Sequence, residues 1–258
     1  MRILTKRRKF VLSSFLLSVG LFWFTRISLE AKYWAIGGLS LLAGILTFWS
    51  LKESAFNLAR WMTPILPVFF TAGIGMFYFL LPSTFLAIIP VLIIYFLGMY
   101  AIFLTENIFS VSALRTINLF RSASAVGFLL TLFTSFFLNN TIISLKLFFW
   151  QNFLAVFLLS FPLCLNSLWS VNLEEKLSWD LFISSLTIAI FLGELAAIIS
   201  FWPVTVTVGS IFLTGCLYVL LGLAQIYRSG RLFKKTVFEY LMVGLIVFLI
   251  MFFYTPWG

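Results

Sequence analysis

The sequence predicts an all-α, polytopic integral membrane protein of about nine transmembrane helices. Three observations carry this expectation. Of the 258 residues, 62% are apolar and 10% charged, against roughly 45–50% and about 25% in soluble domains. The apolar residues gather into stretches close to the roughly 20 that an α-helix needs to cross a bilayer. The polar stretches between them are short and leave almost no mass outside the membrane. These numbers exclude a soluble globular fold, and equally a disordered chain.

Nine segments qualify or nearly so: Phe10–Thr25, Tyr33–Leu51, Trp61–Leu81, Ser83–Leu104, Ser122–Leu138, Leu147–Leu165, Leu181–Phe201, Val204–Ile226 and Thr236–Tyr254. The first has only 16 residues, and Lys9 and Arg26 snorkel from its ends to the interface. With Lys6-Arg7-Arg8-Lys9 ahead of it, it resembles a signal peptide. No small-x-small cleavage site follows in Thr25–Glu30, so it reads as a retained helix. All nine Trp (23, 34, 49, 61, 150, 169, 179, 202 and 257) fall within a few residues of a segment end. Trp prefers the headgroup level, so this supports the segmentation.

Nine crossings put the termini on opposite sides. With the N-terminus inside, the inner stretches hold 14 Lys and Arg and the outer ones only Arg26, Lys32 and Lys146. The positive-inside rule favours that orientation, with the C-terminus outside. The net charge of +9 is read the same way, and no nucleic-acid partner is expected. Residues 1–258 are expected to form a single transmembrane domain. Within it, Leu81-Pro82-Ser83 and Trp202-Pro203 make two similar tight outer turns. They hint at a weak internal repeat of 61–138 against 181–254, with Leu97-Gly98 and Leu221-Gly222 in matching places. Transporters often contain such repeats. The largest inner stretch, Thr105–Arg121, reads as a helix capped by Thr105. On it Arg115 and Arg121 are candidate headgroup or anion contacts, with a solvated helix end the plainer reading.

Absent chemistry constrains function. The chain has no His and a single Asp, Asp180. That removes His-dependent metal sites, Ser-His and Cys-His relays and aspartate dyads. No phosphate-binding GxxxxGK[ST] loop occurs. Glu174 and Glu175 beside Lys176 read as a solvated loop. Cys164 and Cys216 read as small apolar residues at different depths, out of disulfide reach. Catalysis is not expected, and no cofactor or metal is.

Polar residues inside the predicted crossings are more informative. In the seventh segment Ser185, Ala189, Gly193 and Ala197 recur every four residues, a stripe that lets another helix approach closely. In the eighth, Thr207, Ser210, Thr214, Tyr218 and Gln225 fall on one face, with Gly222 beside them. The two segments are expected to pair as an antiparallel hairpin with that face inward. Glu194 is the one acid read deep inside a crossing. An ionised carboxylate there costs about 2.5 kcal/mol or more, so a carboxyl that exchanges a proton is expected. Counting from the Trp202-Pro203 turn puts it between the levels of Ser210 and Thr214, with Thr187 along its own helix. Glu194, Thr187, Thr207, Ser210, Thr214, Tyr218 and Gln225 thus form the candidate polar path.

The functional expectation is a small transporter or permease with this path between the seventh and eighth crossings. The alternative is a non-catalytic membrane subunit or scaffold of an envelope assembly. Expected partners are membrane lipids and a membrane protein or a second copy of the chain. The expected location is a bacterial or archaeal cytoplasmic membrane.

Overall fold

The computed structural model describes residues 5–23, 29–51, 57–81, 84–112 and 119–256. These residues form ten helices and no strand: α1 (Lys6–Trp23), α2 (Leu29–Leu51), α3 (Ala59–Met62), α4 (Ile65–Leu80), α5 (Phe85–Ser112), α6 (Phe120–Ser144), α7 (Phe149–Asn172), α8 (Trp179–Ile199), α9 (Val206–Arg228) and α10 (Lys234–Tyr254). Eight stretches are long and apolar enough to cross a membrane, α3 and α4 counting as one, Ala59–Leu80. The chain is an all-α polytopic membrane protein. The predicted first crossing is also a helix, but α1 spends four of its 18 residues on Lys6, Arg7, Arg8 and Lys9. The chain divides into two compact units, Met1–Thr134 and Ser135–Gly258.

In the first unit, α1 buries Phe10, Ser13, Ser14, Leu17 and Leu21, which the three- and four-residue spacing places on one face. That face packs on α2 and α5, with Phe10 stacked on Phe103 at 6.0 Å. Its opposite face exposes Val11, Leu12, Phe15 and Val19, as a helix bordering lipid does. Pro64 has no N–H to offer, and the chain breaks there between α3 and α4. In α5, Tyr95 stacks on Phe70 at 5.9 Å and shares a hydrogen bond of 3.0 Å with Thr71. Gly98 makes room for that Phe70 ring, because a Cβ there would lie 2.4 Å from its Cζ.

Helix α5 corrects one expectation. The predicted fourth crossing ends at Leu104, with a separate inner helix beginning at Thr105. Instead one helix of 28 residues runs on to Ser112, about 42 Å at 1.5 Å per residue. Thr105 is therefore not an N-cap. It is buried inside the helix, and Glu106 beside it is fully buried. Likewise α6 continues past Leu138 to Ser144, and Asn139, Asn140 and Thr141 are buried along it. The predicted turn at Pro82-Ser83 lies outside the described residues.

In the second unit α7 and α8 pack along their length. The small-residue stripe is the reason for its first three members. Ser185, Ala189 and Gly193 of α8 are buried, and a Cβ on Gly193 would come within 3.0 Å of both the backbone oxygen and Cδ2 of Phe153 on α7. The fourth predicted member, Ala197, is only half-buried, and its neighbour Ala196 is the buried residue there. The stripe thus serves the α7 contact. Helix α9 packs on α7, α8 and α10. Tyr240 of α10 lies over Gly222, whose Cβ would be 2.2 Å from the ring, and stacks on Tyr218 at 5.1 Å.

Candidate functional site: a polar seam between α7 and α9

The polar residues of the second unit converge on α7 rather than on α8. Along α7 the buried face carries Asn152, Ser160, Ser167 and Ser170. Across from it, Gln225 of α9 donates through Nε2 to the carbonyl of Ser167 at 3.1 Å and to its hydroxyl at 2.9 Å. Below this contact, Leu173 adopts a left-handed conformation at the C-terminus of α7, with φ of 51°. That turn carries the chain back under the helix. The indole N–H of the fully buried Trp169 donates to the carbonyl of Glu174 at 3.0 Å. The Glu174 carboxylate then meets the guanidinium of Arg228, the last residue of α9. Arg228 exposes 9% of its side chain and Glu174 25%. An ion pair and a bidentate amide contact therefore close this end of the seam.

At the other end lies a cavity of about 210 Å³ between the C-terminal ends of α6 and α8 and the N-terminal ends of α7 and α9. Asn152 lines it and ties it together. Its Nδ2 donates to the Ser200 hydroxyl at 2.8 Å and to the carbonyl of Leu147 at 3.3 Å. The Ser200 hydroxyl in turn donates to the carbonyl of Ala196 at 2.9 Å. At the start of α7 the side-chain oxygen of Gln151 accepts the N–H of Phe148 at 3.1 Å, which satisfies an otherwise free helix-end donor. Lys146 and Trp202 also line the cavity.

The sequence-derived path is only partly assembled. Ser210 is fully buried, but its hydroxyl bonds to Val206 of its own helix at 2.6 Å. Thr214 bonds to Ser210 in the same way at 2.8 Å. Tyr218 turns to Tyr240, Gln225 reaches α7, and Thr207 is exposed. Thr187 is exposed and bonds to Ile183 at 2.9 Å. Glu194 is also exposed, on the same face of α8. The structure does not bring Glu194 and Thr187 to Ser210 and Thr214. Arg121 is exposed in the first turn of α6, and Arg115 lies outside the described residues. Sequence reasoning missed Asn152, Lys146, the Glu174–Arg228 pair and buried Glu106. Asn152 had one available signal, an amide eight residues before Ser160 in an otherwise apolar run. The pairing of Glu174 with Arg228, 54 residues apart, had none.

Among the described residues no group of His, Cys, Asp or Glu is placed to hold a metal ion. The helices and this seam define a multi-pass helical membrane protein with a buried polar interface in its second unit. The chain belongs to the family described as a protein of unknown function, DUF5656, which it matches over residues 10–254. No curated protein and no solved structure matches it.

Proposed function

We propose that the chain is a small membrane transporter or permease whose polar path runs between α7 and α9. The observation that carries this reading is the seam itself. It opens on a cavity beside Asn152 and is closed at the other end by Glu174–Arg228 and Gln225–Ser167. Purely structural packing needs no such gradient from a cavity to a charged closure. The excess of Lys and Arg on one side supports placing the cavity outside and the ion pair inside. Closed at one end and open at the other is the arrangement that alternating access requires of one of its states.

The test uses cysteine accessibility. In a background with Cys164 and Cys216 replaced by Ala, Ser160→Cys and Ser167→Cys should react with a charged, membrane-impermeant thiol reagent. Leu158→Cys, on the exposed face of α7, should not. Adding Glu174→Gln should increase labelling from the inner side. If both seam positions stay unreactive with and without Glu174→Gln, the seam is packing alone.

One observation favours the second reading, a non-catalytic membrane subunit. Glu194 and Thr187 sit seven residues apart on an exposed face of α8 together with Ile183, Ile190 and Ile198. A carboxyl facing hydrocarbon is costly, and a partner helix with a donor at that depth would cover it.

A further inference from the structure

We propose that two copies of this chain pair in the membrane through the exposed face of α8, with Glu194 hydrogen-bonded to its counterpart in the second copy. The inference rests on the second reading above for that face being covered, and it names the partner. It is independent of whether the seam conducts.

The first observation is a contrast between faces. Between its end turns α7 exposes Leu154 and Leu158, and the exposed residues of α10 from Leu241 to Phe253 are apolar throughout. Those are surfaces fit for lipid. Between its own end turns α8 exposes Ile183, Thr187, Ile190, Phe191 and Glu194. The second observation is depth. With 21 residues, α8 is about 31 Å long, close to the roughly 30 Å of hydrocarbon in a bilayer. Glu194 stands five residues past the middle residue, Ala189, and five before the end at Ile199, so it lies about 7–8 Å from the centre. Helical side chains lean towards the N-terminus. The carboxyl therefore leans back towards the middle of the bilayer and away from the nearer headgroups. A carboxyl left in hydrocarbon there is costly, and a hydrogen-bonding neighbour relieves that cost.

The third observation is spacing. Ile183, Thr187, Ile190, Glu194 and Ala197 follow one another at steps of four, three, four and three residues. This is the repeat that keeps one seam of a helix against a partner helix. Thr187 and Ala197 are small enough to let two backbones approach. The Thr187 hydroxyl donates to Ile183 of its own helix at 2.9 Å, so Glu194 is the seam residue that calls for a donor from across the interface.

Symmetry selects a second copy as the occupant. All copies share one orientation in the membrane, so two that pair through the same face are related by a two-fold axis along the bilayer normal. Their α8 helices then run parallel, and each residue meets its counterpart at equal depth. Protonated, a carboxyl is donor and acceptor at once. Two of them satisfy each other through a pair of O–H···O bonds. A different protein would need a donor set independently at that depth, whereas a second copy brings one there by symmetry.

In the background with Cys164 and Cys216 replaced by Ala, Ile183→Cys and Ile190→Cys should give disulfide-linked dimers on oxidation in membranes. Leu158→Cys on α7 and Leu245→Cys on α10 should not. In detergent, sedimentation of the full-length protein on dilution reads the strength of the pairing. Glu194→Leu should dissociate at about tenfold higher concentration, the loss of two interhelical hydrogen bonds. Glu194→Gln, whose amide also donates and accepts, should dissociate close to the unaltered chain. Because Glu194 is exposed, neither substitution disturbs packing within one copy. Absence of cross-links at both α8 positions, or equal cross-linking at Leu158→Cys and Leu245→Cys, overturns the proposal. So does a Glu194→Leu dimer as tight as that of the unaltered chain. A monomer that loses a different co-purifying protein on Glu194→Leu overturns the dimer and leaves the subunit reading standing. Cross-linked dimers together with unreactive seam cysteines support the pairing and sink only the transport reading.

Discussion

Replacement of Gly193 tests how the second unit is held together. A Cβ at this position would stand 3.0 Å from the backbone oxygen of Phe153, 3.0 Å from its Cδ2 and 3.2 Å from its Cε2. A ring can swing aside, but a helix backbone cannot, so α7 and α8 must separate. In a bilayer this separation is not offset by a hydrophobic driving force, because helix association there depends on close packing. Gly193→Ala should be nearly neutral, since the helix propensity gained, up to about 1 kcal/mol, offsets a shift of a few tenths of an ångström. Gly193→Leu adds three more carbons with nowhere to go, and overpacking of this kind costs about 1–3 kcal/mol. At roughly 2–4 °C per kcal/mol, thermal unfolding of the full chain in detergent should fall by about 2–12 °C. Gly37→Leu is the matched control. Gly37 is a helical glycine of α2, and nothing lies within 4 Å of its Cβ position. An unchanged melting temperature for Gly193→Leu, or an equal fall for the control, would refute the argument that the stripe is a helix contact.

Other substitutions read other parts of the structure. Gln225→Leu removes both bonds to Ser167 and should destabilise by about 0.6–1.7 kcal/mol, the range for interhelical hydrogen bonds in membranes, measured by unfolding in denaturing detergent. Gly222→Ala drives a methyl group into the Tyr240 ring and should lower thermal stability more than Gly193→Ala does. Glu194→Gln should leave the melting temperature of the isolated chain unchanged, because Glu194 is exposed. Loss of a co-purifying partner in that variant would support the subunit reading. Reporter fusions should place the N-terminus inside and the C-terminus outside. Both ends on one side would remove α1 from the set of crossings.

Depth along the membrane was legible in the sequence, whereas facing was legible only in part. Candidate crossings follow from length and hydropathy, which are properties of single segments; eight of the nine predicted segments match stretches long and apolar enough to span, and the first matches the shorter α1. Which side of a helix meets its neighbours depends on those neighbours. Helix α8 shows the difference. Its small-residue stripe was recognised, and so was Glu194, but both were turned towards α9. Five residues separate Ala189 from Glu194, and at 100° per residue they lie about 140° apart around the axis. With the stripe committed to α7, Glu194 is carried to the exposed side. That consequence was available from spacing alone. The reach of α5 was not. Thr105, Glu106 and Asn107 have the composition of a loop, yet they lie inside α5 with Thr105 and Glu106 buried. The pairing of Glu174 with Arg228 depends on how far apart α7 and α9 end, which no local pattern encodes.

Under the proposed transport reading, the contacts at the Glu174–Arg228 end of the seam are the ones that must open. Three contacts cross from α9 to α7 and its following turn: two hydrogen bonds from Gln225 to Ser167, and the Arg228–Glu174 pair. Each interhelical hydrogen bond is worth about 0.6 kcal/mol on average. The ion pair adds about 1 kcal/mol once discounted for the exposure of Glu174. Together they contribute roughly 2 kcal/mol to holding α9 against α7, beside the apolar packing of the same two helices. A closure of this size lies within reach of a ligand that binds the open form ten- to a hundredfold more tightly, about 1.4–2.7 kcal/mol. Glu174→Gln should therefore raise the open population about fivefold, a change that thiol labelling of Ser167→Cys can resolve. If labelling stays flat, the three contacts serve only to fasten α9 to α7, and the polar seam is an internal strut of a membrane subunit.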